Sequence, residues 1–435
     1  MNKEPLRQEG KLMWQLIERL WPICRSITGN GLRETLNIIK EHIPVEISEV
    51  PSGTKVLDWT VPREWNINDA YILDESGKKI IDFRENNLHV VGYSVPVNEW
   101  LELDELQKHL HSLEKQPDAI PYVTSYYREY WGFCLSHKLR ASLKPGKYFV
   151  HIDSAHTNGS LTYGEYIIKG ASEKEIFLSA YVCHPSMASN ELSGPVVLTM
   201  LAKWLASEKR KYTYRIVFIP ETIGSLTYLS KHYKELKEKV IAGFNISCVG
   251  DNNNYSYVQS RYGNTFADKM IRRVLDSDYP GYKKFSFLER GSDERQYCSP
   301  GIDLPLVVVC RTKYEEYPEY HTSLDNLSYI CEEGLTGALE LLRKVILLIE
   351  EGRYYRIKTL GEPQLGKRNL YPVLSTKTSV ASVKRMMNFI AYADGRNDIE
   401  EISKITGIPT EEILSYAELL KKEGLLEETG IIQVE

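Results

Sequence analysis

The sequence predicts an α/β protein: a mixed, largely parallel sheet flanked by helices, with a β-rich module inserted and a winged helix at the end. Three observations predict this. From 165 to 350, strand-like apolar runs alternate with helical ones. From about 55 to 150, short extended pieces alternate with turns. The last sixty residues read as helix, short helix, helix and strand fragments, the order of a winged helix. The expected boundaries are 1–54 and 151–360 for the α/β domain, 55–150 for the insert and 365–435 for the winged helix.

Taken in order, "KLMWQLIERLW" at 11–21 places apolar side chains at helical spacing. Gly29-Asn30-Gly31 breaks that helix from a second one, "LRETLNIIKEHI". "VEISEVPSG" then reads as a strand and a turn. In the insert, "YILDESGKKII" and "KPGKYFVHI" carry Ser-Gly and Pro-Gly turns, and "LDELQKHLHSLEK" reads as a helix. Its His109 and His111 do not share a helix face and read as surface residues. Four strand–helix pairs follow, led by "EIFLSAYV", "YRIVFIP", "AGFNISCVG" and "DLPLVVVC". The segment 360–375, with its Gly and Pro breaks, reads as a linker.

Bulk composition narrows the function. The 435-residue chain is 42% hydrophobic and 26% charged, with a net charge of −5, so no global basic field points to nucleic acid. Seven cysteines without a Cys-x-x-Cys pair read as reduced thiols. The N-terminus lacks a signal-peptide core and no apolar run reaches the ~20 residues of a membrane span, so a cytoplasmic protein is expected.

In parallel sheets, sites lie beyond the carboxyl ends of strands. Four such ends are rich in polar chemistry: Cys183–Gly194, Pro220–Ser225, Gly250-Asp251 and Tyr320–Asn326, with Gly291–Tyr297 between the last two. A zinc hydrolase needs imidazole and carboxylate ligands converging from separate loops, plus a carboxylate to take a proton from water. His184 and His321 offer nitrogens; Glu191, Asp251 or Asp293 offers oxygen; Glu221 offers a base. The residues alone equally describe scattered polar loops.

"CHPSMASNELSG", "PETIGSLTYL", "CVGD", "GSDERQY" and "YHTSLDN" resemble, in order, the zinc exopeptidase family of aminopeptidases and glutamate carboxypeptidase. With "PICRSITGNGLRETL" and "GEPQLGKRNLYP", they resemble bacterial aminopeptidase-like proteins that combine a peptidase-like domain, a β-rich insert and a winged helix. The resemblance implies that His184 and His321 are the first and last histidine ligands and Glu221 the general base. It also puts Asn190 at the metal-bridging Asp, Thr222 at a second metal-binding Glu and Ser247 at a third-strand carboxylate. Two dications close together need several anionic ligands, which these residues do not supply. One zinc ion is therefore expected, on His184, Glu191 and His321, with Asp251 as a candidate fourth ligand. Asn190, Asp293, Glu294, Arg295 and Tyr297 are the candidate substrate contacts. Arg25, Ser26 and Arg33 read as local caps and pairs, with substrate binding by an Arg close to the site as the alternative. His151 and His156 read as structural, in a stretch that could roof the pocket.

The expected activity is cleavage of an amide bond in a small peptide or aminoacylated metabolite. The alternative is a non-catalytic descendant that binds a peptide or glycan intermediate. From Leu370 onward there are seven basic and eleven acidic residues, which disfavours DNA binding and favours packing or homo-oligomer formation by the winged helix.

Overall fold

The computed structural model describes residues 3–370, 377–429 and 432. The chain divides into two compact units, Met1–Val345 and Ile346–Glu435.

The first unit is built on an eight-stranded sheet. Its centre is four parallel strands in the order Thr213–Ile219, Glu175–Tyr181, Val240–Ile246 and Leu306–Cys310. Every residue of these strands is buried, as expected of continuous apolar runs covered on both faces. Antiparallel strands flank them: Ser160–Ile168 and Glu46–Pro51 on one side, and Ser256–Val258, itself paired with Lys283–Phe285, on the other. The helix Ser193–Ala206 sits close on the sheet because Gly194 has no Cβ, which would lie 2.4 Å from the Ile246 carbonyl. The helices Lys3–Leu20 and Asn30–Lys40 match the first two expected.

The insert contains a four-stranded antiparallel sheet, Lys79–Asp82, Glu64–Leu73, Lys147–Thr157 and Val97–Glu102. The strand Lys147–Thr157 stays in it past the expected boundary at 150, and carries His151 and His156. The expected helix "LDELQKHLHSLEK" is one turn, Leu103–Leu106, then a 3₁₀ turn and a two-residue strand, Leu110–His111. Tertiary contacts override its helical spacing. Leu110 pairs with Phe133, and the half-buried His109 ring stacks on that of Trp131 at 3.7 Å with the planes nearly parallel.

In the second unit the helices Lys377–Tyr392, Ile399–Thr406 and Thr410–Lys422 surround a core that includes Phe389, Ile402, Ile413 and Leu420. Its sheet includes Tyr354–Ile357, paired with Asp394–Asp398 and Leu426–Glu428. The unit therefore starts before the expected 365, because this short strand belongs to the wing's sheet and not to the α/β domain. The last expected strand piece, "GIIQV", lies almost wholly outside the described residues. All seven cysteines are free thiols, and no described helix is long and apolar enough to cross a membrane.

Candidate active site at the strand ends

Each central strand ends in a loop containing non-glycine left-handed backbone: Ser186 (φ 41°), Thr222 (63°), Cys248 (52°), and in the last loop both Glu315 (66°) and His321 (56°). Such conformations are costly for residues with a Cβ and persist where the surroundings dictate them. After Ser186 the chain makes a π-helical turn, Ala188–Leu192, before the long helix begins. Asp325 holds that turn. Its carboxylate accepts the backbone N–H groups of Ser189 (2.7 Å) and Asn190 (2.9 Å) and the Tyr317 hydroxyl (3.1 Å). Burial pushes the Asp325 carboxyl up to about 6, even though those N–H groups favour its charge.

These loops bring His184, Glu221 and His321 to one end of a cavity of about 430 Å³. His184 Nε2 lies 3.9 Å from Glu221 Oε2, and the two imidazole centroids are 5.4 Å apart. His321 stacks on Tyr320 at 3.9 Å, and its buried Nε2 has no hydrogen-bond partner. Burial, with repulsion from His184, drops the His321 pKa to about 3, so its ring is neutral with a free lone pair. Glu221 keeps 22% of its side chain exposed to the cavity. Burial raises its pKa, opposed by His184 and Arg295. The buried Asp293 behind it is pushed up to about 8 by desolvation and by Glu221.

On its other edge, His184 Nδ1 meets Glu191 Oε2 at 2.9 Å and Cys183 Sγ at 3.4 Å. Cys183, His184 and Glu191 form the one described group of potential ligands gathered within 4.8 Å. Burial pushes the Cys183 thiol up to about 11, so it is neutral at neutral pH, and its sulfur already accepts the Glu221 N–H at 3.2 Å. Burial opposes a charge on His184, but the Cys183 and Glu191 contacts win and hold its pKa well above normal.

The expected ligand set is only partly gathered. His184 and His321 face each other across the cavity end. Glu191 is fully buried behind the His184 ring, beside Arg25, and does not line the cavity. Asp251 also lies off the cavity, with its oxygens taken by Thr312 N (3.0 Å), Thr312 Oγ1 (2.7 Å) and Asn253 N (3.0 Å). Among the expected substrate contacts, Arg295 alone lines the cavity, donating to Thr222 Oγ1 at 2.9 Å. Asp293 accepts from Thr222 N and Ser225 Oγ, and Glu294 from the Gly291 and Ser292 amides and the Tyr314 hydroxyl. Tyr297 is buried in the core against Ser179. The Asn190 amide donates to the Tyr181 hydroxyl at 2.7 Å, and that hydroxyl lies 2.6 Å from Ser247 Oγ. Of the three positions where the resemblance expects carboxylates, Asn190 and Ser247 are thus neutral and tied to one phenol, and Thr222 meets Arg295.

The opposite wall comes from the insert: Trp59, Tyr122, Tyr126 and Tyr127. It is fastened at the His321 loop, where Tyr122 N donates to the His321 carbonyl (2.9 Å) and Pro121 bridges Thr322. The Tyr122 ring lies 5.1 Å from both His184 and His321. The stretch 151–165, read as structural with a roof as the alternative, lies mostly in the strands Lys147–Thr157 and Ser160–Ile168 and does not line the cavity. Arg25, expected to pair locally, reaches the back of the site and donates to the His184 carbonyl at 3.0 Å. Nothing in the local sequence marked Tyr122 or Tyr126; Arg25 and Asp325 stood in quoted motifs, Arg25 with a local role and Asp325 with none.

A family model described as "Domain of unknown function (DUF4910)" matches residues 14–352, and a "winged helix-turn-helix" model matches 353–428. The chain belongs to the DUF4910 family. A Clostridium acetobutylicum protein named "Putative polysaccharide biosynthesis protein with aminopeptidase-like domain" is 45% identical over 421 residues, 96% of each chain. A crystal structure of a "putative peptidase" from that organism matches with TM-score 0.83 at 44% identity, covering 98% of both chains. A zinc aminopeptidase from Bacillus subtilis matches with TM-score 0.56 at 14% identity, over 78% of this chain and 94% of that one. A peptidase M28 precursor from Shewanella amazonensis matches at 0.57 and 13%, over 83% and 97%. The last two establish the fold of this DUF4910 protein: it is that of the M28 aminopeptidases, followed by a winged helix.

Proposed function

We propose that this DUF4910 protein is a zinc-dependent amide hydrolase of the exopeptidase type, acting on a small aminoacylated or N-acylated sugar-like metabolite. The observation that carries the reading is that His184 Nε2, 3.9 Å from the Glu221 carboxylate, and the unpartnered His321 Nε2 line one aromatic-walled cavity. Two imidazole nitrogens and a carboxylate form a donor set that suits zinc. His184 and His321 would hold the ion, which when bound supplies Lewis acidity and lowers the pKa of water. Two protein nitrogens are fewer than the three ligands usual in catalytic zinc sites. Glu221 is the one carboxylate lining the cavity, so metal binding and proton transfer both draw on it.

In this reading Glu221 takes a proton from the attacking water and gives it to the departing amine nitrogen. Arg295, reaching the cavity beside Thr222, binds a carboxylate or other anionic group of the substrate. The rings of Trp59, Tyr122 and Tyr127 offer stacking faces for a sugar or an apolar side chain. The sugar-like substrate draws on the name of the Clostridium relative and on this aromatic wall.

Zinc content of protein purified without chelator, followed by an amidase screen of wild type and Glu221→Gln, tests the reading. About one zinc per chain is expected, with turnover in Glu221→Gln reduced at least ~1,000-fold. Zinc far below one per chain, or full activity in Glu221→Gln, would sink the proposal. Specific binding of an acylated sugar without turnover by wild type would favour instead a retired enzyme that binds its former substrate.

A further inference from the structure

Behind the His184 ring, away from the cavity, lie two charges that the proton chemistry above does not use. Arg25 and Glu191 are both fully buried, with Arg25 Nε 3.6 Å from Glu191 Oε1. Arg25 also donates to the carbonyls of His184 (3.0 Å) and Leu20 (2.7 Å), so it is pinned to the backbone that carries the histidine. Glu191 Oε2 holds His184 Nδ1, while Glu191 Oε1 and Arg25 Nη2 have no hydrogen-bond partner. A lone buried carboxylate is too costly to stay charged; a guanidinium beside it offsets part of that cost.

We infer that Arg25 and Glu191 are a positioning pair for His184. Glu191 turns the ring so that Nδ1 faces it and Nε2 faces the cavity, and the guanidinium, in place of a second metal ion, neutralises Glu191. What Nε2 then does rests on the hydrolase reading; the pair itself does not. The neighbouring acids agree with a single cation. Asp293 is occupied by Thr222 N and Ser225 Oγ, and Asp325 by the Ser189 and Asn190 amides. Asn190 and Ser247 are neutral and share the Tyr181 hydroxyl. A second dication beside Glu191 would meet the positive guanidinium and too little negative charge to hold it. A carboxylate behind a metal-binding imidazole fixes its orientation and raises its basicity, and such partners are worth ~10–100-fold in metal affinity.

The test uses the full chain, first stripped of metal and then titrated with zinc. It compares wild type with Arg25→Met, Glu191→Leu, Glu191→Gln and the double variant Arg25→Met/Glu191→Leu. In metal-free protein, Arg25→Met should lower the urea midpoint sharply, and the double variant should recover most of the loss because no charge is left alone. In the titration, wild type should bind one zinc. The double variant and Glu191→Leu should bind it ~10–100-fold more weakly. Glu191→Gln, which keeps a hydrogen-bond acceptor for Nδ1, should lose less. A purely structural pair would move stability and affinity together; recovered stability with lost affinity is the signature of positioning. A double variant no more stable than Arg25→Met overturns the inference, as does a folded Glu191→Leu with wild-type affinity, or two zinc ions per wild-type chain. A wild type that binds no zinc sinks the hydrolase reading and leaves the metal-free comparison to decide the pair.

Discussion

The two walls of the cavity are built from opposite materials. The sheet wall offers His184, Glu221 and His321 on loops whose backbone is forced into left-handed conformations and backed by buried hydrogen bonds. The insert wall offers Trp59, Tyr122, Tyr126 and Tyr127, of which Trp59 and Tyr127 are well exposed and touch edge to face at 5.8 Å. A wall that costs backbone strain and buried charge keeps reactive groups in one place. A wall of exposed rings adapts to a ligand surface at little cost. The difference teaches that chemistry and selection are assigned to different parts of the chain, and substitutions on each wall should separate in kinetics.

The largest effect is expected on the sheet wall. His321→Ala removes a free imidazole nitrogen from the cavity, and kcat/KM should fall at least ~1,000-fold together with bound zinc. Zinc content measured beside turnover checks both. A His321→Ala protein with wild-type zinc and activity would remove this wall from the chemistry.

Tyr122 is the insert-wall ring that lies against both imidazoles, and its substitution should have an intermediate effect. Tyr122→Ala opens space beside both imidazoles and should lower kcat/KM ~10–100-fold through misplacement of the reacting groups. Tyr122→Phe should stay within a few-fold of wild type, because the hydroxyl bonds only to Tyr126, at 3.1 Å. Equal losses in the two variants would mean that the hydroxyl, and not the ring, matters. Further out, Tyr127→Ala should raise KM by about 3–10-fold with kcat unchanged, the pattern of lost uniform binding. A fall in kcat there would break the division between the walls.

The two walls also differ in how far the sequence disclosed them. The central strands were legible because they are continuous apolar runs, and His184, Glu221 and His321 lie on the loops that follow them, His321 well past Cys310; their roles came from the resemblance. The insert wall was not, because Tyr122 lies 199 positions from His321 and meets it only through the backbone bridge at Pro121 and Thr322. Glu191 and Asp251 were legible as acids near the site but not in their orientation. One turned behind the histidine toward a buried arginine from the N-terminal segment, and the other turned to Thr312. The strand Tyr354–Ile357 was hidden by its length: four residues show no periodicity until partners at 394–398 and 426–428 are in place.

The smallest effect is expected where the two walls are joined. Arg33, in the helix Asn30–Lys40, forks onto Glu64 at 2.8 and 2.5 Å, and Glu64 begins the insert's long strand and accepts the Ser160 N–H at 2.9 Å. The Arg33 guanidinium first, and then the Ser160 and Asn66 donors, overcome burial and hold the Glu64 carboxyl near about 2, below its ordinary 4.5. A depressed carboxyl stabilises the fold above its unfolded pKa, and that contribution is lost as pH falls from 4.5 towards 2. Arg33 is 26% exposed and also pairs with Glu49, so Glu64→Gln should cost only about 1–2 kcal/mol at pH 7. Urea midpoints of wild type and variant should converge between pH 4.5 and 2.5, with kcat unaffected at neutral pH. A gap that stays constant over that range would show that the joint depends on packing and not on the carboxylate charge. A fall in kcat would show that the insert wall must be held rigidly against the sheet for the chemistry itself, so that selection and catalysis are not separable in this protein.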